Sequence, residues 1–218
     1  MGATHAIGVS DDVGGSTERR ILYVVDDNAD VRKSLHFALD SSGVMVWPFG
    51  GPEDFLDSLD GLVPAPILLD VRMPKIDGIQ LLQIIRERSI EWPVIMMTAH
   101  GDIPVAVASM KLGALDFLEK PFAIERLEGM LGVAYAKVSE VVETTDQRCR
   151  AMTAFATLSA REKQVALGLV SGKPNKEIAQ DLHISPRTVE IHRASALKKL
   201  GVKSTADAVR LLIAAEVV

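Results

Sequence analysis

Five short apolar runs punctuate the first two thirds of the chain, at Ile21 to Val25, Val44 to Phe49, Ile67 to Leu69, Val94 to Met97 and Leu115 to Leu118. Runs of this length that are continuous rather than alternating predict strands buried on both faces. Between them lie windows of helical spacing, such as Val31 to Leu39 and Ile79 to Arg86. Alternation of this regularity predicts a doubly wound, mostly parallel α/β sheet of five strands. After Pro121 a longer helix-compatible window puts Leu127, Leu131, Ala134, Val138 and Val141/Val142 near one face and runs out of the sheet region. Residues 143 to 156, ETTDQRCRAMTAFA, mix charge with Thr, show little periodicity and predict a linker. From Leu158 onward strand signals cease. Helix starts replace them: Ser159 with Glu162 and Ser204 with Asp207 as capping-box patterns, and Ser185-Pro186 as N-cap and first-turn proline. Breaks at Gly172 to Asn175 and His183 to Ser185 complete an all-α ending of four helices. The predicted division is a flexible tail over 1–19, an α/β domain over 20–140, a helical linker over 141–156 and a helical domain over 157–218.

Composition narrows the class. A chain of 218 residues is comfortable for two domains, and 48% hydrophobic with 24% charged residues is ordinary for a globular protein. The single cysteine, Cys149, makes no internal disulfide, and no Cys/His cluster has zinc spacing, which favours a reducing compartment. The first nineteen residues lack the basic start and apolar stretch of a secretion signal. No apolar run approaches the roughly eighteen residues of a membrane helix, so a cytoplasmic protein with no membrane partner is expected. Charge divides unevenly. Residues 1 to 140 hold 12 Lys and Arg against 21 Asp and Glu, a net of −9, while residues 141 to 218 hold 12 against 8, a net of +4. Halves of opposite sign suggest different partners, and the basic one is a candidate for nucleic acid.

The strand ends carry the chemistry. PILLDVRMPKIDG places Asp70 at the carboxyl end of the third strand, and ILYVVDDNAD places Asp26 and Asp27 after the first. In a flavodoxin-like order 2-1-3-4-5 those two strands are neighbours at the topological switch point, where ligands bind. Three converging carboxylates repel and require a cation. Oxygen-only ligands favour Mg²⁺. The fourth strand ends at Thr98 and the fifth at Lys120, ahead of Pro121. Acid, hydroxyl and amine at successive strand ends suit phosphoryl transfer to a carboxylate. Lys120 and the metal would neutralise phosphoryl oxygens, Thr98 would donate a hydrogen bond and Asp70 would be the nucleophile.

VVDDN, LLDVRMPKIDG, MMTAHGD and LEKPF, in that order, resemble the receiver domains of two-component response regulators over roughly residues 20 to 140. The resemblance implies Asp70 as phosphoacceptor. It implies Asp26, Asp27 and Asp70 with the main-chain carbonyl of Arg72 as Mg²⁺ ligands, Thr98 and Lys120 as the phosphoryl-binding pair, Phe117 as the switching aromatic, and a cis Lys120-Pro121 bond. Pro74 and Gly78 would shape the loop that presents Asp70. The surface expected to respond is the fourth helix, DIPVAVASMKLG, with the fifth strand, where Val105, Ala106 and Met110 form a candidate dimer patch.

In the basic half, two short helices joined by a tight turn, the second richer in Arg and Lys, match a helix-turn-helix that sets its second helix in the major groove. Counting from Val189, Ala196 and Leu200 share its direction while Arg187, Ile191, Ala194 and Lys198 point away. An exposed Ile beside Arg and Lys suits DNA, where an apolar group meets a thymine methyl. Glu190 and Arg193 flank this face as candidates to touch base edges, and Thr188 is a further candidate DNA contact. Lys173, Lys176, Lys199 and Lys203 are candidate phosphate contacts. LSAREKQV, NKEIAQDL, SPRTVEIHR and LKKLGVKS resemble the LuxR-type helix-turn-helix. The whole is similar to the FixJ branch of the FixJ/NarL response regulators. That resemblance implies a regulator rather than an enzyme, with a sensor histidine kinase, promoter DNA and RNA polymerase as partners, homodimerisation on phosphorylation, and activation of transcription. Two rivals remain open at this point: a DNA-binding regulator with a vestigial pocket, and an aspartyl-phosphate phosphatase. The second would want Asp-x-Asp after a strand, whereas Val71-Arg72 follows Asp70.

Overall fold

The computed structural model describes residues 20–99 and 103–215. The chain divides into two compact units between Ser139 and Glu140.

In the first unit five parallel strands, β1 (Arg20–Val25), β2 (Val44–Phe49), β3 (Ile67–Asp70), β4 (Val94–Thr98) and β5 (Asp116–Glu119), lie in the order β2-β1-β3-β4-β5. The helices α1 (Ala29–Asp40), α2 (Pro52–Ser58), α3 (Gly78–Glu87), α4 (Ile103–Lys111) and α5 (Ile124–Ala156) follow the strands in turn. Successive strand residues project to opposite faces. Tyr23, Val25, Ile67 and Leu69 enter one core with Leu81, Leu82 and Ile85 of α3. Leu22, Val24, Leu68 and Ile95 enter the other with Leu35 and Leu39 of α1 and Leu127, Leu131 and Ala134 of α5. Both faces are therefore covered, and side chains at the strands' carboxyl ends are the ones left facing a crevice. The predicted strands hold with small shifts: β3 includes Asp70, β4 includes Thr98, and β5 starts at Asp116 rather than Leu115. Tight helix starts fix the edge. Asn28 caps α1 by accepting from the Asp30 and Val31 N–H groups, and Asp77 with Gln80 forms a capping box at α3.

The second unit contains α6 (Ala160–Val170), α7 (Asn175–Asp181), α8 (Pro186–Lys199) and α9 (Thr205–Ala214). Val165, Ile178, Ala179 and Val189 form one small core, and Leu158, Ala166, Ala196, Leu200, Ala208 and Leu212 another. Gly168 lets α6 pack closely on α7: a Cβ there would sit 2.9 Å from Ile178 Cγ1 and force that side chain to shift. The predicted helical linker over 141–156 is the last part of α5, and at its end Ala151 is buried and Ala154 and Phe155 pack against the second core. The predicted tail over 1–19 lies outside the described residues.

Candidate phosphoacceptor site and nucleic-acid interface

Asp26, directly after β1, and Asp70, the last residue of β3, are brought together by Lys120, directly after β5. The Lys120 ammonium donates to Asp26 Oδ2 at 2.7 Å and to Asp70 Oδ1 at 2.6 Å. The second oxygen of each acid is held by main chain: Asp26 Oδ1 accepts from the Asn28 N–H at 2.8 Å and Asp70 Oδ2 from the Arg72 N–H at 3.0 Å. Asp26 and Asp70 are 1% and 7% exposed. Burial raises the carboxyl pKa of Asp70 above its ordinary value, outweighing the opposing bonds from Lys120 and Arg72. Burial lowers the affinity of Lys120 for its proton, but the bonds to Asp26 and Asp70 more than reverse this, so its pKa is raised. The ammonium is thus held charged between two acids.

Thr98 is buried at the end of β4, and its carbonyl accepts from the Lys120 N–H at 2.6 Å, tying the two strand ends together. Phe117 is half-buried against the α3 side of the core, and the Lys120-Pro121 peptide is cis. Asp27 departs from the expected convergence: it is exposed and lines a groove with Arg72, Met73, Pro74, Asp77 and Val105. Two carboxylates therefore meet at the ammonium, and the third stands at the rim. Among the described residues no three His, Cys, Asp or Glu side chains are grouped to hold an ion alone. The donors that are present are all oxygen. Carboxylates supplemented by a main-chain carbonyl, water and phosphoryl oxygens are the shell that Mg²⁺ takes, so the residues fit that ion.

The loop after β3 is pinned from below. Val71 N–H donates to the Met97 carbonyl at 2.8 Å and Gly78 N–H to the Val71 carbonyl at 2.9 Å. A Cβ on residue 78 would lie 2.2 Å from the Asp70 carbonyl oxygen, so only glycine lets α3 start this close to the acid. Lys75 in the same loop adopts φ 66° and pairs with Glu53 of α2 at 2.8 Å. Sequence reasoning missed the guanidinium of Arg32, which donates to the Asp26 carbonyl. It sits one turn into α1, where a basic residue carries no local signal.

The candidate dimer residues on α4 differ in exposure. Val105 and Ala106 are half-buried, and Val105 packs into the core. The exposed apolar stripe is Ile103, Val107 and Met110, at 75%, 48% and 49% exposure, so Met110 alone of the predicted trio belongs to it.

In the second unit α7 and α8 are joined by a turn with His183 in the left-handed region, and Ser185 caps α8 by accepting from the Thr188 N–H at 3.1 Å. Arg187, Glu190, Ile191, Ala194 and Lys198 share the exposed side of α8, with Ile191 62% exposed. Thr188 is half-buried, its hydroxyl against that of Ser185. Arg193 is half-buried and lies about 40° around the helix from buried Val189. Of the candidate phosphate contacts, Lys176 and Lys203 are exposed, Lys173 pairs with Asp181 at 2.6 Å, and Lys199 pairs with Glu162 at 2.7 Å. No described helix is long and apolar enough to cross a membrane.

Comparison with known proteins agrees with this geometry. Residues 22–132 match the response regulator receiver domain family, and residues 156–212 match the family of bacterial regulatory proteins of the luxR type. The chain is 43% identical over 199 residues to the transcriptional regulatory protein FixJ of Bradyrhizobium diazoefficiens, covering 91% of this chain and 97% of that one. Among solved structures it is similar to the response regulator StyR, with a TM-score of 0.73 at 34% identity over 89% of this chain and 98% of that one. It is also similar to full-length FixJ from B. japonicum, with a TM-score of 0.56 at 42% identity over 93% and 100%.

Proposed function

Because this chain belongs to the FixJ-like response regulators, phosphorylation-dependent regulators of transcription with a receiver and a LuxR-type DNA-binding domain, we propose that Asp70 is its phosphoacceptor and a sensor histidine kinase its donor. An Asp70 carboxylate oxygen attacks phosphorus. The new O–P bond forms as the N–P bond to the donor imidazole breaks, and the imidazole leaves with the electron pair. Lys120, already 2.6 Å from Asp70, compensates the charge of the incoming phosphoryl oxygens. Asp26, Asp27, Asp70 and the Arg72 carbonyl would hold Mg²⁺, which supplies further neutralisation of those oxygens. Thr98 donates its hydroxyl to the phosphoryl group, and Phe117 follows into the space that this movement vacates.

The response is carried by α4 and β5. In this reading the exposed stripe on α4 pairs two receivers, and the paired helical domains place α8 of each copy in the major groove of a promoter half-site, recruiting RNA polymerase and activating transcription. Arg187, Glu190, Ile191 and Ala194 meet bases there, and Lys176, Lys198 and Lys203 meet phosphates. The observation that carries the proposal is the ammonium of Lys120 shared between two buried acids at the carboxyl edge of the sheet.

The test incubates the full chain with Mg²⁺ and acetyl phosphate, then follows intact mass, oligomeric state and salt-dependent duplex affinity, with Asp70→Asn as control. Phosphoryl uptake, dimerisation and tighter duplex binding should rise together and vanish in the variant. Strong DNA binding indifferent to both treatments would instead mean that the pocket is not the switch.

A further inference from the structure

Two kinds of fastening hold α8 against α6. Along most of its length the contact is apolar, through Val165 and Ala166 on α6 and Val189, Ala196 and Leu200 on α8. Such contacts attract in proportion to area and are not directional, so they define the rotation of α8 about its own axis only loosely. At the start of α6 the fastening is polar. Glu162, 5% exposed, closes the α6 capping box by accepting from the Ser159 N–H at 2.7 Å. Its remaining capacity is turned across to α8, where Oε1 accepts from the Ser195 hydroxyl at 2.6 Å and Oε2 from the Lys199 ammonium at 2.7 Å.

Ser195 and Lys199 stand one turn apart at the border between the packed and the exposed sides of α8. By helical geometry they lie about 40° and 80° around the axis from Ile191, while Val189 and Ala196 lie on the far side. A turn of α8 that disturbed the apolar contacts little would still stretch both bonds to Glu162, and charge-assisted bonds of fixed direction resist that.

We infer that Glu162 is a positioning residue for DNA reading, which through Ser195 and Lys199 fixes the angle at which Arg187, Glu190, Ile191 and Ala194 face base edges. The inference rests on the reading of α8 as the DNA-facing helix. It also reassigns Lys199 from a phosphate contact to part of the internal knot. Base-edge bonds are directional and phosphate attraction is not, so a loosened α8 loses discrimination before it loses affinity. Lys199, Ser195 and the Ser159 N–H hold the carboxyl pKa of Glu162 down to about 2, so Glu162 is ionised wherever DNA binding is measured. Neighbouring cations on α6 do not compete for it: Arg161 bonds Gln164 and the Leu182 carbonyl, and Lys163 lies over the Phe155 ring.

The test uses the full chain and a duplex enriched by the wild-type protein from a random-sequence pool, with a scrambled duplex of equal length as reference. Affinities for both are measured across a salt series for wild type, Glu162→Gln, Ser195→Ala and Lys199→Gln. Ser195→Ala changes no charge and keeps the capping box, so it covers the case in which Glu162→Gln fails to fold. Each variant should lower the ratio of enriched to scrambled affinity about tenfold. Scrambled affinity should stay at the wild-type value in Ser195→Ala, and the salt slope should be unchanged in Lys199→Gln. A wild-type ratio in Ser195→Ala overturns the inference, as does a salt slope reduced by about one in Lys199→Gln alone, which would restore Lys199 as a phosphate contact. An equal fall in both affinities together with lost helical content would assign Glu162 a merely structural role. If the wild-type protein enriches no sequence, the DNA-facing reading itself fails, a result distinct from the others.

Discussion

At Asp70 burial and a neighbouring ammonium act in opposite directions, and burial wins. A carboxyl whose folded pKa is raised binds its proton more tightly folded than unfolded, so ionisation opposes folding and stability falls as pH rises from the unfolded value of 3.8 through the folded one. Asp70→Asn, which leaves the Lys120 bond to Asp26 in place, should therefore raise the thermal midpoint of the first unit at neutral pH and abolish phosphoryl uptake. The gain should vanish below the unfolded pKa; a lower midpoint at neutral pH would mean that the Lys120 bond outweighs burial. Asp26, Asp70 and Thr98 were legible in the sequence because each follows an apolar run directly, and Lys120 because it stands one residue past such a run; a parallel sheet sends such residues to one edge. The exposure of Arg193 and Val105 was not legible, because the side of a helix that packs is decided by tertiary contacts: both are half-buried, Val105 against the core. In Glu162 the cap was legible and the reach to α8 was not, since nothing local encodes a neighbour 33 residues away.

The entry into α3 is set by the closest backbone approach beside the site. Gly78→Ala would drive a methyl into the Asp70 carbonyl, 2.2 Å away, with the Asp70 carbonyl carbon and Val71 Cα both at 3.0 Å. Backbone on that side has no flexible end to give way, so a loss of about 3 kcal/mol is expected, together with slower phosphoryl uptake as the acid is displaced. A urea titration read by Trp47 and Trp92 fluorescence measures the first, and a time course with acetyl phosphate the second. Unchanged stability would show that the loop relaxes. Helices with a buried side announced themselves by periodicity, as α1 and α3 did. The middle of α5 did not: residues 142–150 are exposed throughout, so no apolar face is there to read, and the helix persists between two supported ends.

For the whole molecule, the two-unit division was legible from the loss of strand signals and from the change of charge sign, and each half has its own core. It leaves an experimental handle. Both tryptophans and both tyrosines, Trp47, Trp92, Tyr23 and Tyr135, fall in the first unit. Fluorescence should thus follow one unit while far-UV circular dichroism follows both, and their denaturant transitions should not coincide. Asp70→Asn should move the fluorescence transition and, in the dichroism curve, only the part that belongs to the first unit; coincident curves in both proteins would mean that the units unfold as one. Lys120 has a wider consequence. Its ammonium already serves two carboxylates, and no encoded side chain brings more than a single negative charge to position 70. A glutamate there would hand Lys120 what it already holds. With Asp70 as the proposed acceptor, substitution there is expected not to imitate the phosphorylated state, and a permanently active form is expected from changes that favour the proposed responding surfaces directly.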